Sequence, residues 1–317
     1  MRKLLAVLIS TIFLMNLTGC SEAPSRKEYT IATGSKSGAY YSVGEALDKV
    51  LKSKYPDVTI KVVETEGSVD NIQMLKEGKV DMALVQSDIA HYAKYGEAMY
   101  VGPNNRVSNI QGMATLFPEI VQFIVRRDSF ISKLSDLAGK KLAVGGKNSG
   151  TRYNVEQILG EEGILNQVTC ISIDTKDAIN AIEKGEIDGF VFTSAFPNPS
   201  IIELAKKVEI DLIAISLDLT QKLVNKHAFY IPATVQPKAY KGQDTEMNAL
   251  EIGALLVSGP SLSDEDQYIL TKALFEKPES LGEYHSRLAH TTKNRLYHQM
   301  SIGIGAGAQK AFSENKN

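Results

Sequence analysis

One pattern occurs twice in this chain. Residues 32–44 read ATGSKSGAYYSVG and residues 143–155 read AVGGKNSGTRYNV. With Gly34 set on Gly146, Ser37-Gly38 falls on Ser149-Gly150 and Tyr41 falls on Tyr153. Each copy is a Gly/Ser turn between an apolar strand and an amphipathic helix. The repetition runs further, because NIQMLKEGKVDMALVQSD resembles AINAIEKGEIDGFVFTSA. Both read as a helix, a glycine (Gly78, Gly185) suited to the left-handed exit position, and an acid leading into an apolar strand. Two similar α/β lobes are the fold that this repetition predicts; chance likeness between αβ units is the competing explanation.

Strand and helix alternate along both copies. Helices are expected over about Ser42 to Lys54, Ser68 to Glu77, from Ser87, Gly150 to Glu161, Lys176 to Lys184 and Pro199 to Val208. Apolar strands between amphipathic helices argue for parallel sheets covered on both faces. A long extended stretch, NIQGMATLFPEIVQFIVRRDS, lies between the lobes and is interrupted by Pro118. A second, AFYIPATVQPKAY, follows the later lobe, and MNALEIGALLVS with the helices after Ser263 has no counterpart there. Two crossings make a hinge over a cleft. The division expected is 29–117 with 237–317 as lobe 1 and 118–236 as lobe 2.

The first 19 residues stand outside this pattern. Arg2 and Lys3 precede the apolar run LLAVLISTIFLM and then LTGC, which reads as an export signal. Leu17-Thr18-Gly19-Cys20 looks like the lipobox of bacterial lipoproteins, which implies cleavage before Cys20 and a lipid on its sulfur; a short membrane anchor or a plain signal is the other reading. Cleavage removes Arg2 and Lys3 and no acid, taking the net charge from −2 to −4. Residues 20–28 would be a mobile polar tether. Buried acyl chains contribute about 0.8 kcal/mol per CH₂, enough to hold the mature chain on a membrane. There are 2 cysteines. With Cys20 lipidated, Cys170 has no partner; in VTCISI it is expected to be an inert core thiol, and no disulfide is predicted.

The remaining chemistry is that of binding. A strand turning tightly into a helix leaves backbone N–H groups that, with the helix dipole, favour an anion. Both Gly/Ser turns would sit at carboxyl ends of strands, where open α/β sheets hold ligands. One such turn is commonly no more than a cap; two matched turns, one per lobe, point to a ligand. Further candidates are Gly67-Ser68 in TEGSVDN, Gln86 in VQSD, and the Thr193 to Asn198 loop. Arg152, in the first turn of its helix, opposes the dipole unless an anion faces it, so it is expected to meet a ligand carboxylate. Of Tyr40 and Tyr41, one should form a wall of the site and one should join the core; the order stays open.

Several other functions find no support. A net charge of −2 gives no basic face for nucleic acid. GGKNSGTR has the glycine separation of a phosphate loop at Gly145 and Gly150, but Thr151-Arg152 replaces the required Lys-Ser/Thr. GIGAG at 303–307 lies too near the terminus to open a dinucleotide-binding unit. The histidines at 91, 227, 285, 290 and 298 show no metal-site spacing. No pattern pairs a nucleophile with a base. No cofactor, no metal and no enzyme activity are expected.

TGSKSGAYYSVGEAL, VETEGSVDNIQMLKEGKVDMALVQSD, GKKLAVGGKNSGT and FPNPSIIELA resemble, in order, motifs of the TAXI family of TRAP-transporter solute receptors. The resemblance covers nearly all of the chain after Tyr29. It implies the type II periplasmic-binding-protein fold, with two α/β lobes joined by a two-segment hinge. The function it implies is that of an extracytoplasmic, lipid-anchored, monomeric receptor. Such a receptor would deliver a small organic anion or amino acid, glutamate-like ligands among them, to membrane permease subunits driven by an ion gradient. The ligand contacts implied are Ser37, Gly38, Ala39, Tyr40, Tyr41, Gly67, Ser68, Gln86, Ser149, Gly150, Thr151, Arg152, Pro197 and Asn198. Two departures stand out. The family turn Gly-Gly-x-Tyr-Tyr is here Ser37-Gly38-Ala39-Tyr40-Tyr41, and the C-terminal Pro-x-His-Pro-Gly-Ala run is here SIGIGAGAQKAF. Presentation of the ligand to a sensor kinase is the alternative role.

Overall fold

The computed structural model describes residues 23–36 and 38–314. Ser37, Cys20 and the export signal lie outside the described residues. In chain order the elements are β1 (Glu28–Ala32), α1 (Ala39–Lys54), β2 (Thr59–Val63), α2 (Ser68–Lys76), β3 (Met82–Gln86), α3 (Ser87–Tyr95) and β4 (Gln111–Arg126). Then come β5 (Lys141–Ala143), α4 (Gly150–Glu162), β6 (Thr169–Ile171), α5 (Thr175–Glu183), β7 (Gly189–Ser194), α6 (Pro199–Lys207), β8 (Ile210–Ile213) and α7 (Leu217–Lys226). The chain closes with β9 (Ile231–Val235), β10 (Met247–Ser258), α8 (Asp264–Phe275) and α9 (Ala306–Glu314).

The repeat in the sequence is a repeat in the sheet. The strand order is β2-β1-β3-β10-β4-β7-β5-β6. At one end β1 pairs parallel with β2 and β3; at the other, β5 pairs parallel with β6 and β7. Both triplets therefore carry the first strand of their copy in the centre. Gly78 and Gly185, at φ +65° and +73°, occupy the left-handed exits where a side chain would be strained.

Between the triplets runs an antiparallel ribbon of two long strands. β10 pairs with β4 from Ser258↔Gln111 to Glu251↔Ile120, with register shifts between Ala254 and Leu255 and between Leu256 and Val257. The same β10 lies against β3 over Ala254–Ser258 and against β9 over Met247–Glu251. β4 continues past the ribbon to pair with β7 and β8. Pro118 is accommodated within β4, opposite Gly253. Both crossings between the two triplets are thus sheet strands, and bulges of this kind bend a strand where it changes partners.

Two sequence expectations need correction. Residues 25 and 26 are held to the fold rather than mobile: Ser25 N and Oγ donate to Asp266 at 2.8 and 2.6 Å, and Arg26 Nη2 donates to Asp81 at 2.8 Å. Cys170 is exposed, because its strand β6 is the three-residue edge of the sheet and not an interior strand. Among the described residues no helix is long and apolar enough to cross a membrane.

Candidate functional site

The carboxyl ends of all six parallel strands open into one cavity of about 440 Å³. β1 contributes Gly34, β2 leads to Thr65 and Gly67, and β3 ends in Gln86; β5 leads to Gly145 and Gly146, β6 to Ser172 through Thr175, and β7 supplies Thr193 and Ser194. Five helices begin at this wall, α3 directly after Gln86. α1 and α2 start after Gly38 and Gly67 with no side-chain cap, α4 starts after Ser149, whose Oγ accepts from Arg152 N, and α5 starts after Asp174. An uncapped first turn keeps N–H groups available to a ligand oxygen, although in α2 the Val69 N–H is already given to the Asn148 carbonyl.

Both copies of the repeated turn therefore face one space. Gly38, Ala39 and Tyr40 line it from one lobe, with Gly67, Ser68 and Gln86; Ser149, Gly150 and Thr151 line it from the other. Four expected residues do not line it. Arg152 turns outward: its Nε donates to Glu156 Oε1 at 2.9 Å and its Nη1 to Ser172 Oγ at 3.2 Å. An i,i+4 carboxylate satisfies the guanidinium, so no ligand anion is needed to explain a cation in the first turn of α4. Pro197 and Asn198 also stand back. Asn198 is buried, caps α6 by accepting from Ser200 N at 2.9 Å, and donates its own N–H to the Tyr240 hydroxyl at 3.0 Å. Tyr40 proves to be the wall residue. Tyr41 is half-buried under Lys36, whose Nζ lies 6.0 Å from the ring centre.

Ser68 does not cap its helix; Gly67 holds that position, and Ser68 Oγ instead accepts from Gln86 N at 3.1 Å. The hydroxyl braces the end of β3 against α2. Ser87 Oγ likewise accepts from Gly253 N at 3.1 Å, tying the start of α3 to the crossing strand β10.

The lobes touch at the cavity's mouth and flank. Asn148 accepts at its carbonyl from Val69 N at 3.1 Å and donates through Nδ2 to Glu66 Oε2 at 2.9 Å. A Cβ built on Gly150 would stand 1.9 Å from Gln86 Oε1, so only glycine allows this approach. Alongside, Asn154 Nδ2 of α4 donates to Asp88 Oδ2 of α3 at 2.6 Å, while Asn154 Oδ1 accepts from Thr193 Oγ1 at 2.8 Å. Tyr230 extends this buried chain to Gln157 at 2.6 Å, and Gln157 bonds the Tyr92 hydroxyl.

The sequence reading missed Glu119. It lies on β4 one residue after Pro118, is 2% exposed, lines the cavity, and accepts from the Tyr40 hydroxyl at 2.8 Å. Its signal was present as one acid inside the apolar run TLFPEIVQFIV. Burial pushes its carboxyl up to about 8, and burial likewise pushes Asp88 up to about 7. Gln86 Oε1 is buried with no hydrogen-bond partner among the described residues. Among those residues no cluster of His, Cys, Asp or Glu suits a metal.

Two α/β lobes around one cleft, joined by an antiparallel pair of sheet strands, define the bilobal periplasmic-binding-protein class of fold. Within that class the chain belongs to the NMT1-like family, whose model matches residues 31–315. Solved structures of similar fold include the alkanesulfonate-binding protein SsuA from Xanthomonas axonopodis pv. citri bound to MOPS, with 15% identity, TM-score 0.54, and 92% of this chain covering 85% of that one. The periplasmic aliphatic sulphonate binding protein SsuA from Escherichia coli is similar at 16% identity and TM-score 0.50, with 92% and 84% covered. So is the amino acid ABC transporter substrate-binding protein AbpA from Streptococcus pneumoniae bound to L-arginine, at 12% identity and TM-score 0.50, with 92% and 97% covered.

Proposed function

We propose that this chain is an extracytoplasmic solute receptor that closes on a small organic anion or amino acid and delivers it to the membrane subunits of a TRAP-type, ion-gradient-driven permease. The observation that carries the reading is the meeting of the two repeated turns, one from each lobe, at a single cavity. The uncapped starts of α1 and α2 would take a carboxylate oxygen. A solute touching both lobes binds the closed state better and shifts the population toward it. Moving from 1% to 99% closed takes about 5.5 kcal/mol of differential binding, which a few charge-assisted bonds would supply.

Lobe 1 would comprise residues 29–117 and the C-terminal part of the chain, lobe 2 the middle. The pairing of Met247–Glu251 with β9 favours a return crossing within β10, later than residue 237. Lipid attachment at Cys20 would hold the receptor at a membrane surface, a few residues before Ser25 is bonded to Asp266. The solute-binding names of its fold relatives agree with a binding role rather than turnover.

Native mass spectrometry of the receptor, before and after unfolding, should release a small carboxylate or amino acid. A solute-free protein whose melting temperature no carboxylate or amino acid moves would overturn the reading. Cys20→Ser should shift the protein from the membrane to the soluble fraction; retention on the membrane would reject lipid attachment.

A further inference from the structure

We propose that Glu119 reads a protonated amine on the captured solute and gives up its own proton as the solute binds. The inference rests on the cavity being the solute site, and it narrows that site's ligands to those carrying an ammonium group. Glu119 is the one charged-type side chain among the lining residues that is fully buried; Glu66, Lys147 and Asp174 belong to the exposed rim. The lining thus holds three carboxyls and one ammonium, and Arg152, the other cation of the second turn, is committed to Glu156. Such a wall suits a solute whose carboxylate lies at the helix starts and whose cation lies toward Glu119. Gln86 Oε1, a buried acceptor without a donor, adds to the demand for hydrogen on the solute.

Among the described residues, the groups that face Glu119 leave it without a compensating charge in direct contact. Tyr40 of α1 donates its hydroxyl. Asp88 of α3 adds a like-sign influence. Arg287 of the C-terminal segment attracts it, but its Nη1 donates to the Ala195 carbonyl at 3.2 Å. Glu251, on the neighbouring β10, falls under Arg295 and His298 instead. A buried carboxyl in that position is neutral while the cavity is empty, consistent with its rise to about 8 through burial. An ammonium within contact distance favours the ionised form, so solute capture releases a proton from Glu119 to solvent, up to one per solute where the shift is large.

The test uses the mature receptor isotope-labelled at its glutamate carboxyls and methylammonium as the probe. The Glu119 NMR signal is assigned by its loss in Glu119→Gln, and the other glutamate signals, unmoved in that variant, show that the loss is not misfolding. The wild-type midpoint should lie above neutrality and fall by about half a pH unit or more as methylammonium is added. A midpoint in the ordinary carboxylate range in the empty receptor, or one that methylammonium at any concentration leaves unmoved, overturns the proposal. Acetate, followed at the Ala39 and Gly150 amides, tests the carboxylate half of the proposed function separately. If acetate fails there while methylammonium lowers the Glu119 midpoint, the role of Glu119 stands and the carboxylate assignment falls.

Discussion

Gly150 and Arg152, two residues apart, stand differently toward the cavity: Gly150 lines it and Arg152 does not. Gly150 lets the Gln86 side chain of one lobe lie against the backbone of the other, in a space that a methyl group would fill. Gly150→Ala should therefore push Gln86 out of place or part the lobes. Solute affinity should fall by about tenfold or more, equivalent to about 1.4 kcal/mol, with little change in thermal stability. Calorimetric titration beside a thermal melt separates the two effects, and an unchanged affinity would show that the seam adapts. Arg152 carries a charge that the sequence assigns to the ligand, yet the guanidinium faces Glu156 and Ser172. Its ion pair is partly exposed, at 34% and 39% for the two side chains, and exposed pairs contribute roughly 0–1 kcal/mol. Arg152→Ala should leave solute affinity within about twofold, as surface pairs of this kind rarely matter more. A loss of affinity comparable with that of Gly150→Ala would return Arg152 to the site.

At the level of elements, α3 carries a cost that pH should reveal. Its first turn is buried throughout, and Asp88 lies there with Asn154 and its neighbour Ile89 as donors. A helix start favours a carboxylate, but desolvation outweighs it and raises the group to about 7. Below the ordinary carboxylate range both folded and unfolded chains hold the proton. As pH rises from about 4 the unfolded chain loses it first, so the folded state loses relative stability until about pH 7, where the native group also ionises. Asp88→Asn places an NH2 against one of two N–H donors, a pH-independent cost, but should remove this loss, so that from pH 4 to neutrality the variant gains about 1 kcal/mol or more on the parent. Urea midpoints measured across that range check it; a constant gap would place the burden on packing rather than ionisation. How much of each element was legible follows the same physics. Periodicity and turn residues set α2, α4, α5 and α6 to within a residue or so, because each has one apolar face and a glycine or cap at its ends. The cavity wall from the two turns was legible for the same reason. The direction of Arg152, the exposure of Cys170 and the role of Glu119 were not. All three depend on which strands become neighbours, and β6 is an edge and β4 a crossing strand only once the two triplets are joined through β10.

For the whole molecule, the question is what holds the lobes together beside the cleft. The two crossings in β4 and β10 join the lobes through one antiparallel pairing, but they do not by themselves favour a closed form. The flank does. One buried apolar cluster includes Ile72, Val85 and Ile89 from the first copy and Val155, Ile158 and Leu223 from the second, so opening there would wet apolar surface. Asn154 sits at the polar heart of that flank, fully buried, bonding Asp88 across the lobes and Thr193 within its own. Asn154→Ala would leave Asp88 buried and without its cross-lobe donor in the closed form, a penalty of about 1–3 kcal/mol that opening relieves by admitting water. Each 1.4 kcal/mol changes an equilibrium about tenfold, so the solute-free variant should shift toward the open form by about tenfold to a hundredfold. Small-angle scattering should then give Asn154→Ala a larger radius of gyration than the parent without solute, with the difference shrinking as solute is added. Identical curves for the two proteins would mean that the polar chain along the flank does not govern closure, leaving the apolar cluster and the solute to do so.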